Sequence, residues 1–359
     1  MIFAVIPWDE KFYNDELFDV SSATNVNGLA EPYADLKKCM ERNGHRIRTI
    51  DKYDDLSVVD FFLFFEWVDK WIYLLLKKGY SNRMVYCNAE PPTVRVKNSE
   101  EGYKEIAKYF PYIMTWNKSL VDDNTFFYRT IPYRFVEHSD CVPFDQKKLL
   151  TSISANKKSD YKDELYTERE RLISFFENAI PNDFDMYGVG WDRKKHPSYK
   201  GSPQSKFETY NNYKFALALE NTRNISGYVT EKIFDCLTGN IVPIYLGADD
   251  ICDYISEKSF IDYRRFDNPK ELLEYITNLD EDDYKDYLKN AKLTIESLQE
   301  RHMFSGEQYA ENIIYMSQRA NKQYFKVEFW LRERIYIKIV KSSIRMFIKN
   351  IFKRWQRGL

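Results

Sequence analysis

The sequence predicts an α/β protein in which two parallel-sheet domains face each other across a cleft and a basic helical tail follows. Three observations lead to this fold class. The 359 residues are enough for two domains with separate cores. Hydrophobic residues make up 44% of the chain and aromatic residues 17%, which is typical of a folded globular protein. Short apolar runs alternate with amphipathic segments twice along the chain, and this favours parallel sheets covered by helices.

The first alternating series begins at the N-terminus. Buried-strand patterns predict strands at Ile2–Ile6, Arg46–Ile50, Phe61–Phe65 and Arg83–Cys87, and helical periodicity predicts helices at Tyr33–Asn43 and Lys70–Lys78. The Tyr- and Pro-containing stretch 128–144 then predicts a loop. We therefore assign residues 1–145 to an N-terminal domain.

The second series extends over residues 146–320 and forms the predicted C-terminal domain. Its predicted strands are Lys148–Ser152, Asp183–Tyr187, Tyr213–Leu219 and Ile241–Leu246, and its predicted helices are Tyr161–Asn178, a helix from Val229, Pro269–Leu279 and Glu281–Leu298. Ligands of parallel α/β sheets bind beyond the carboxyl ends of the strands. We therefore expect substrates to bind in the cleft between the two domains.

Charge is distributed unevenly along the chain. Residues 322–359 hold eleven Lys or Arg and two acidic residues, whereas residues 1–321 hold 42 basic and 53 acidic residues. Sequence-independent binding to phosphate backbones requires a Lys- or Arg-rich surface. The acidic body therefore argues against a nucleic-acid partner, and the tail, residues 321–359, requires a separate explanation.

The cysteines and the N-terminal sequence indicate in which cellular compartment the protein is expected. The five cysteines are Cys39, Cys87, Cys141, Cys236 and Cys252. Their scattered positions and odd number indicate neither a disulfide framework nor a zinc knuckle, so a reducing compartment fits best. The start MIFAVIPW has no basic residue and meets Asp9 and Glu10 at once, so it predicts a first strand rather than a signal peptide. We expect a cytoplasmic protein.

The densest set of candidate functional residues lies between positions 213 and 248. The segment YKFALALENTRNISGYVTEK predicts a strand, a polar loop and a helix that begins near Thr230. Free N–H groups at a helix N-terminus bind anions, and Lys232 adds positive charge in the first turn. Glu231 beside it can accept hydrogen bonds from two ribose hydroxyls, so the segment favours a nucleotide. The alternative is that Thr230 only caps the helix and that both charges are solvated.

The same segment closely resembles the donor-binding motif of the α-1,3/4-fucosyltransferases, glycosyltransferase family 10. In that family F-x-x-x-x-E-N-[ST] precedes Y-V-T-E-K and V-P-[IV]-x-x-G, and this chain contains FALALENT, YVTEK and VPIYLG. Weaker similarity through NAEPP, YGVGWDR and YKG extends the resemblance over residues 1 to about 315. It implies the two-domain GT-B architecture, with the acceptor held mainly by the first domain and GDP-fucose by the second.

The resemblance also implies donor-binding roles for individual residues. Glu231 would bind the ribose hydroxyls and Lys232 would neutralise the pyrophosphate. Tyr228 would lie against the donor, Arg193 in GVGWDR would brace the phosphates, and Asn221 matches the donor-loop Asn. Weaker matches to a Ser- and Asn-rich strand end are Ser154, Asn156 and Lys157. No obligatory metal or other cofactor is implied, and the four histidines have no ligand spacing.

Inverting transfer requires a carboxylate that deprotonates the acceptor from the side opposite the leaving nucleotide. Glu90 follows the predicted strand Arg83–Cys87 and resembles the catalytic Glu of the family in its N-x-E-[SP]-P setting. An ordinary loop glutamate before a Pro-Pro turn is the alternative. Glu66, which follows the preceding strand, is the reserve candidate for the base.

The predicted function is therefore inverting transfer of L-fucose from GDP-β-L-fucose to a hydroxyl of a GlcNAc- or Glc-containing glycan, with α-1,3 linkage and Lewis-type products favoured. One alternative is a GT-B glycosyltransferase that uses another nucleotide sugar in polysaccharide or lipopolysaccharide assembly. Another is an inactive, membrane-tethered module that binds a glycan or a nucleotide. The retained residues Glu90, Arg193, Glu231 and Lys232 argue against loss of activity.

The basic tail predicts an amphipathic helix. Its apolar stripe consists of Ile337, Val340, Ile344, Phe347, Ile348, Ile351 and Trp355. Lys and Arg residues flank this stripe, which suits a helix lying in the interface of an anionic membrane, here at the cytoplasmic face. The alternative is that the helix docks on the acidic body or on an oligomer partner.

Overall fold

The computed structural model describes residues 1–25, 28–136, 142–321 and 323–357, with side chains described through position 346 and at 349. Residues of the N-terminal half form a six-stranded sheet in the order β2-β1-β3-β4-β5-β6, and every neighbouring pair is parallel. The strands are β1 Ile2–Ile6, β2 Arg46–Thr49, β3 Phe61–Phe64, β4 Met84–Tyr86, β5 Tyr112–Thr115 and β6 Phe126–Tyr128. The last two strands were not predicted.

Helices cover both faces of this sheet. They are α1 Glu31–Arg42, α2 Asp69–Lys77 and α3 Glu100–Ile106. Alternate residues of β1 and β3 pack against opposite helices: Phe3 and Leu63 belong to the core beneath α1, and Ala4 and Phe62 to the core beneath α2. Burial on both faces explains why these strands are continuous apolar runs rather than alternating ones.

The C-terminal half forms a second, five-stranded parallel sheet in the order β11-β10-β9-β7-β8. Its strands are β7 Lys148–Ile153, β8 Phe184–Tyr187, β9 Tyr213–Leu219, β10 Val242–Leu246 and β11 Ile261–Asp262. Its helices are α4 Tyr166–Ala179, α5 Lys206–Tyr210, α6 Glu231–Thr238, α7 Pro269–Asn278 and α8 Glu281–Glu300. Two parallel sheets in succession confirm the predicted fold class.

The chain then returns to the first domain. Helix α9, Gly306–Arg319, buries Tyr309, Ile313 and Met316 in the core that also contains Phe3 of β1. A Cβ at Gly306 would clash with the backbone of α1, so the helices approach closely there. These residues fall within the predicted C-terminal domain, 146–320, but they pack on the N-terminal domain, where the apolar side chains of α9 join the core beneath α1.

Helix α10, Phe329–Arg357, also begins on the first domain. Leu331 and Ile335 are 2% and 1% exposed in the core beneath α2, and the Tyr336 ring stacks on Tyr73 with centroids 5.2 Å apart. The stripe residues Ile337, Val340 and Ile344 are exposed. The side chains of Phe347, Ile348, Ile351 and Trp355 lie outside the described residues. Within the described part of the chain, no helix is long and apolar enough to cross a membrane.

Candidate active site

A cleft of about 530 Å³ opens between the carboxyl ends of the two sheets. From the first domain it is lined by Ala89, Glu90 and Ile131. From the second domain its lining includes Lys157, Arg169, Asn221, Tyr228, Glu231 and Lys232. The cleft therefore brings the predicted base together with most of the predicted donor-binding residues, although they are far apart in sequence.

The loop after β4 that carries Glu90 is fixed by hydrogen bonds. The Asn88 amide donates to the Phe65 carbonyl at 2.9 Å, and its oxygen accepts from the Glu90 N–H, also at 2.9 Å. Asn98 donates to the same Asn88 oxygen at 2.9 Å. The Trp116 indole donates to the carbonyl of the residue before Glu90 at 2.8 Å. The backbone at Glu90 is thus fixed beside the cleft that this residue lines.

The surroundings of Glu90 raise the pKa of its carboxyl. Partial removal from water is the main cause, and the negative charge of Glu231 adds to it, while Lys157 and Lys232 act in the opposite direction. A carboxylate with a raised pKa is a stronger base than a solvated one. The position and the electrostatics of Glu90 therefore both suit proton abstraction.

Glu66, the reserve candidate, has a different environment. Its carboxylate forms an ion pair with Arg95 and accepts the Trp67 backbone N–H at 2.6 Å. It is not among the described residues that line the cleft. The side chain is committed to holding the segment after β4, so the geometry favours Glu90.

The N-terminus of α6 rests on a buried carboxylate. Thr230 caps the helix, and its hydroxyl accepts the Lys232 N–H at 3.4 Å. The fully buried Glu220 accepts the Thr230 N–H at 2.9 Å and the Thr230 hydroxyl at 2.7 Å. Burial raises the pKa of Glu220 to about 7, although Lys232 counteracts it. Glu220 belongs to the ENT motif, but the sequence assigned it no role.

Glu231 and Lys232 form an ion pair at this helix end. The ammonium of Lys232 lies 3.2 Å from a Glu231 carboxylate oxygen and 3.8 Å from one of Glu220. Burial alone would raise the pKa of Glu231, but Lys232 and Lys206 outweigh it and lower the pKa to about 2. Burial would lower the pKa of Lys232, yet Glu231 and Glu220 raise it overall. Both groups are therefore charged at neutral pH.

Tyr228 lies between the two domains. It is 3% exposed, and its ring centroid is 4.6 Å from that of Trp116 in the first domain. Its hydroxyl lies 3.5 Å from the Asn221 amide nitrogen. The preceding Gly227 has φ +86, and a Cβ there would clash with the Trp116 carbonyl. Glycine is therefore required for the donor loop to approach the first domain.

The remaining residues that were predicted to bind the donor differ in whether they line the cleft. Ser154 and Lys157 line the cleft, and the Asn156 amide donates to the Gly190 carbonyl at 3.3 Å. Arg193 is exposed, with its guanidinium 5.9 Å from the Tyr199 ring centroid, and is not among the described cleft-lining residues. Its contact with phosphate stays a prediction.

Two cationic residues that line the cleft, Arg169 and Lys206, were not predicted from the sequence. Arg169 on α4 is 4% exposed and donates to the carbonyls of Leu219 and Glu220 at 2.8 and 3.0 Å, which fixes the end of β9. Arg169 lies on the same buried face of α4 as Leu172. An arginine on the apolar face of a predicted helix could have identified it as a candidate. Lys206 on α5 lines the cleft, but its local sequence offers no signal.

Comparison with known proteins supports the family that the sequence motif indicated. The model of the C-terminal region of glycosyltransferase family 10 (fucosyltransferase) matches residues 145–330. An α-(1,4)-fucosyltransferase of Arabidopsis thaliana is 44% identical over 70 residues, which are 20% of this chain and 17% of the plant protein. An α-(1,3)-fucosyltransferase of Helicobacter pylori is 40% identical over 76 residues, 21% of this chain and 16% of the bacterial protein. GDP-fucose protein O-fucosyltransferase 3 of Bos taurus is 36% identical over 115 residues, 30% and 24% of the two chains.

Solved structures share the fold over nearly the whole chain. An α1,3-fucosyltransferase crystal structure has a TM-score of 0.54 and 16% identity, and the match covers 91% of this chain and 92% of that one. A DNA-modifying β-glucosyltransferase has a TM-score of 0.55 and 11% identity over 89% and 100% of the two chains. These likenesses confirm the two-domain GT-B architecture, whereas the curated relatives match over less than a quarter of their own length. Because the family model covers more than half of the residues and its motif forms one wall of the cleft, the chain belongs to glycosyltransferase family 10, the fucosyltransferases.

Proposed function

We propose that this chain is an inverting fucosyltransferase that moves L-fucose from GDP-β-L-fucose to a hydroxyl of a GlcNAc- or Glc-containing glycan. One observation carries the proposal: Glu90 of the first domain and the Glu231–Lys232 pair of the second line the same cleft. A base and an anion-binding helix end on opposite walls are what a displacement with inversion requires.

In this proposal the second domain holds the nucleotide. Glu231 is ionised because its pKa is about 2, so its carboxylate accepts hydrogen bonds from the two ribose hydroxyls. Lys232 and the free N–H groups of α6 face the pyrophosphate, and Tyr228 packs against the donor. Negative charge grows on the pyrophosphate as GDP departs, so the ammonium of Lys232 stabilises the transition state more than the ground state.

Glu90 acts on the acceptor. Its carboxylate takes the proton from the acceptor hydroxyl while that oxygen forms a bond to the anomeric carbon of fucose. The bond from this carbon to the phosphate oxygen breaks, and GDP leaves with the electron pair on the opposite face of the sugar. Attack and departure on opposite faces convert the β-linked donor into an α-linked product, with α-1,3 linkage favoured by the family resemblance.

Release of the nucleoside diphosphate from different donors separates this function from its alternatives. The full chain is incubated with GDP-fucose, UDP-glucose or a dTDP-sugar and with acceptors that include N-acetyllactosamine and a peptide, with the Glu90→Gln variant as control. We expect release of the nucleoside diphosphate only from GDP-fucose and only when a glycan acceptor is present. Turnover of another nucleotide sugar would favour the polysaccharide alternative, and binding without turnover would favour the inactive module. Activity that persists in EDTA is also expected, and strict dependence on Mg²⁺ or Mn²⁺ would contradict the metal-free mechanism.

We further propose that the distal part of α10 binds an anionic membrane surface at the cytoplasmic face. The support is that Ile337, Val340 and Ile344 remain exposed after the first turns of the helix have packed on α2, and that Lys338 and Lys341 lie next to them in sequence. Exposed apolar side chains flanked by cations favour the interface of an anionic bilayer. The truncation experiment in the Discussion tests this.

A further inference from the structure

The first domain has a second cavity, of about 400 Å³, beyond the carboxyl ends of β1 and β2 and beside the start of α2. Its apolar lining consists of Pro7, Trp8, Tyr13, Val68 and Trp71, and its charged lining of Asp9, Glu10, Asp51 and Lys70. The cavity and the cleft have no lining residue in common. The proposed catalytic roles use none of these nine residues.

The aromatic rings of this cavity are half-buried and held in place. The Trp71 indole N–H donates to the Tyr13 hydroxyl at 2.9 Å. The Trp8 ring packs among other rings, with its centroid 4.6 Å from that of Phe12 and 5.5 Å from that of Tyr33. Rings fixed in this way offer apolar surface at little entropic cost. Such surfaces suit the C–H faces of a sugar ring.

The charged groups complete a lining for hydroxyl-rich ligands. Asp51 accepts the Asn14 N–H at 3.0 Å, and Asp9 accepts the Lys11 N–H at 3.1 Å, so both carboxylates are anchored by the backbone. A carboxylate has about four acceptor sites, so an anchored one can still accept from sugar hydroxyls. Three carboxylates face one ammonium in this cavity, and the excess negative charge disfavours an anionic ligand.

The cavity lies on the same edge of the sheet as Glu90. Strand β3 separates β1 from β4, so the ends of β1 and β4 are two strand spacings, about 10 Å, apart. Tyr33 packs beside the cavity, with its ring centroid 5.5 Å from that of Trp8. Burial raises the pKa of Tyr33, Arg129 lowers it and Glu90 raises it. A ligand that extends over two or three sugar residues can span this distance.

We propose that this cavity is a subsite for a neutral saccharide and binds an acceptor sugar remote from the hydroxyl that reacts at Glu90. The inference rests on the proposed function, because it gives that function a reason to prefer extended, uncharged acceptors. Trp71 supplies the stacking surface, and Asp51 and Glu10 accept hydrogen bonds from hydroxyls. These residues determine specificity and do not touch the reacting atoms.

Binding is tested first, without any turnover. The full chain is applied to an array of neutral and sialylated glycans that includes lactose, N-acetyllactosamine and its dimeric tetrasaccharide. We expect retention of neutral glycans, loss of at least tenfold in affinity for Trp71→Ala and Asp51→Asn, and partial rescue in Trp71→Phe. The matched control is Trp330→Ala, which removes a 55% exposed tryptophan from α10. No retention, retention of sialylated glycans or peptides only, or unchanged binding by Trp71→Ala would overturn the subsite.

Kinetics then separate the subsite from the reaction. With GDP-fucose, the wild-type chain should have a KM for the tetrasaccharide at least tenfold below that for the disaccharide. Trp71→Ala should remove this difference and leave the KM for GDP-fucose unchanged. Glycan binding that depends on Trp71 without any fucose transfer would defeat the proposed function and leave the subsite standing. Transfer without a chain-length effect would defeat the subsite and leave the proposed function standing.

Discussion

Glu90 and Glu66 both follow buried parallel strands, yet only one of them reaches the cleft. The Glu66 carboxylate is neutralised by Arg95, whereas that of Glu90 lies between the two domains with cations and Glu231 around it. The pKa of a carboxyl depends on such neighbours and on its removal from water. The different surroundings of these two carboxylates therefore follow from what packs beside them, and they favour Glu90 over Glu66 as the candidate base.

The first prediction separates these two carboxylates. Glu90→Gln should lower the rate of fucose transfer by about 10²- to 10⁴-fold, the usual contribution of a positioned base, because the amide cannot accept the proton. The affinity for GDP-fucose, measured by calorimetry, should not change. Glu66→Gln is the matched control and should retain more transfer than Glu90→Gln. Wild-type turnover in Glu90→Gln would remove this residue from the mechanism.

The second prediction concerns pH. Glu90 must be ionised to act, and its pKa is raised, so kcat/KM should fall as the pH decreases through a pKa above that of a free glutamate, about 4.3. Glu220 also lies at this site and has a pKa of about 7, so its titration could produce a similar change in activity with pH. Glu220→Gln is therefore the control. The acid limb should persist in Glu220→Gln and vanish from the residual activity of Glu90→Gln. An acid limb that disappears with Glu220 instead would assign the titration to that buried carboxyl.

The third prediction concerns the cations of the donor site. Lys232→Met should weaken GDP binding and lower kcat/KM together, with a loss of about 3–4 kcal/mol in transition-state stabilisation, because the charge acts on the leaving pyrophosphate. Arg193→Ala tests the exposed arginine in the same way. Lys270→Met, on an exposed side chain of α7, is the matched control. Unchanged GDP affinity in Arg193→Ala would exclude its predicted phosphate contact.

At the scale of elements, α6 is the helix on which the site depends. Its first turn carries Glu231 and Lys232, and its second turn carries Asp235, which accepts the Tyr133 hydroxyl at 2.9 Å and pairs with Lys206 at 2.6 Å. Tyr133 belongs to the segment that joins the two domains. The helix that would hold the nucleotide is therefore also tied to the interdomain connection.

The fourth prediction tests the loop that precedes α6. Gly227→Ala should lower the free energy of unfolding and the affinity for GDP, because the new Cβ strains a positive φ and clashes with the Trp116 carbonyl. Gly44→Ala is the matched control, since Gly44 has φ +72 but nothing within 4 Å of an added Cβ. It should cost only about 1–2 kcal/mol, measured by urea unfolding. Equal losses for the two variants would show that the contact with Trp116 contributes nothing.

In the whole molecule, the first domain is built from two separate parts of the chain, one before and one after the segment that forms the second domain. Helix α9 and the first turns of α10 complete the cores on the two faces of the N-terminal sheet. The first turns of α10 therefore dock on the body, with Ile339 also packed against that core, while Ile337, Val340 and Ile344 stay exposed.

The fifth prediction uses two truncations. Removing residues 341–359 should leave a folded protein with near-normal turnover on a soluble acceptor. It should weaken binding to anionic vesicles, because it deletes Ile344 and the rest of the predicted stripe and retains only Ile337 and Val340. Removing residues 322–359 should also lower the melting temperature and cause aggregation, because it deletes Leu331 and Ile335, and emptying a buried aliphatic site costs about 2–5 kcal/mol. Vesicle binding should weaken with added salt. Unchanged vesicle binding after removal of 341–359 would refute the membrane proposal.

Many of the strands and one wall of the cleft could be predicted from local sequence patterns. Strands such as β1 and β9 have the predicted bounds, because a parallel strand buried on both faces is an uninterrupted apolar run that local periodicity reveals. The motif from Tyr213 to Ala248 determined the family and the helix end that carries Glu231 and Lys232, since an anion-binding turn is built from consecutive residues.

The tertiary structure was needed for the features that depend on contacts between distant residues. It brought Glu90 and Lys232 into one cleft, paired Glu66 with Arg95, buried Glu220 under Thr230, and left Arg193 exposed. It also returned α9 and the start of α10 to the first domain, where the sequence had placed α9 in the second. An amphipathic helix face indicates that the helix packs against something, but it does not indicate which surface. The role of a carboxylate depends on nearby charges and on burial, which local sequence patterns do not reveal.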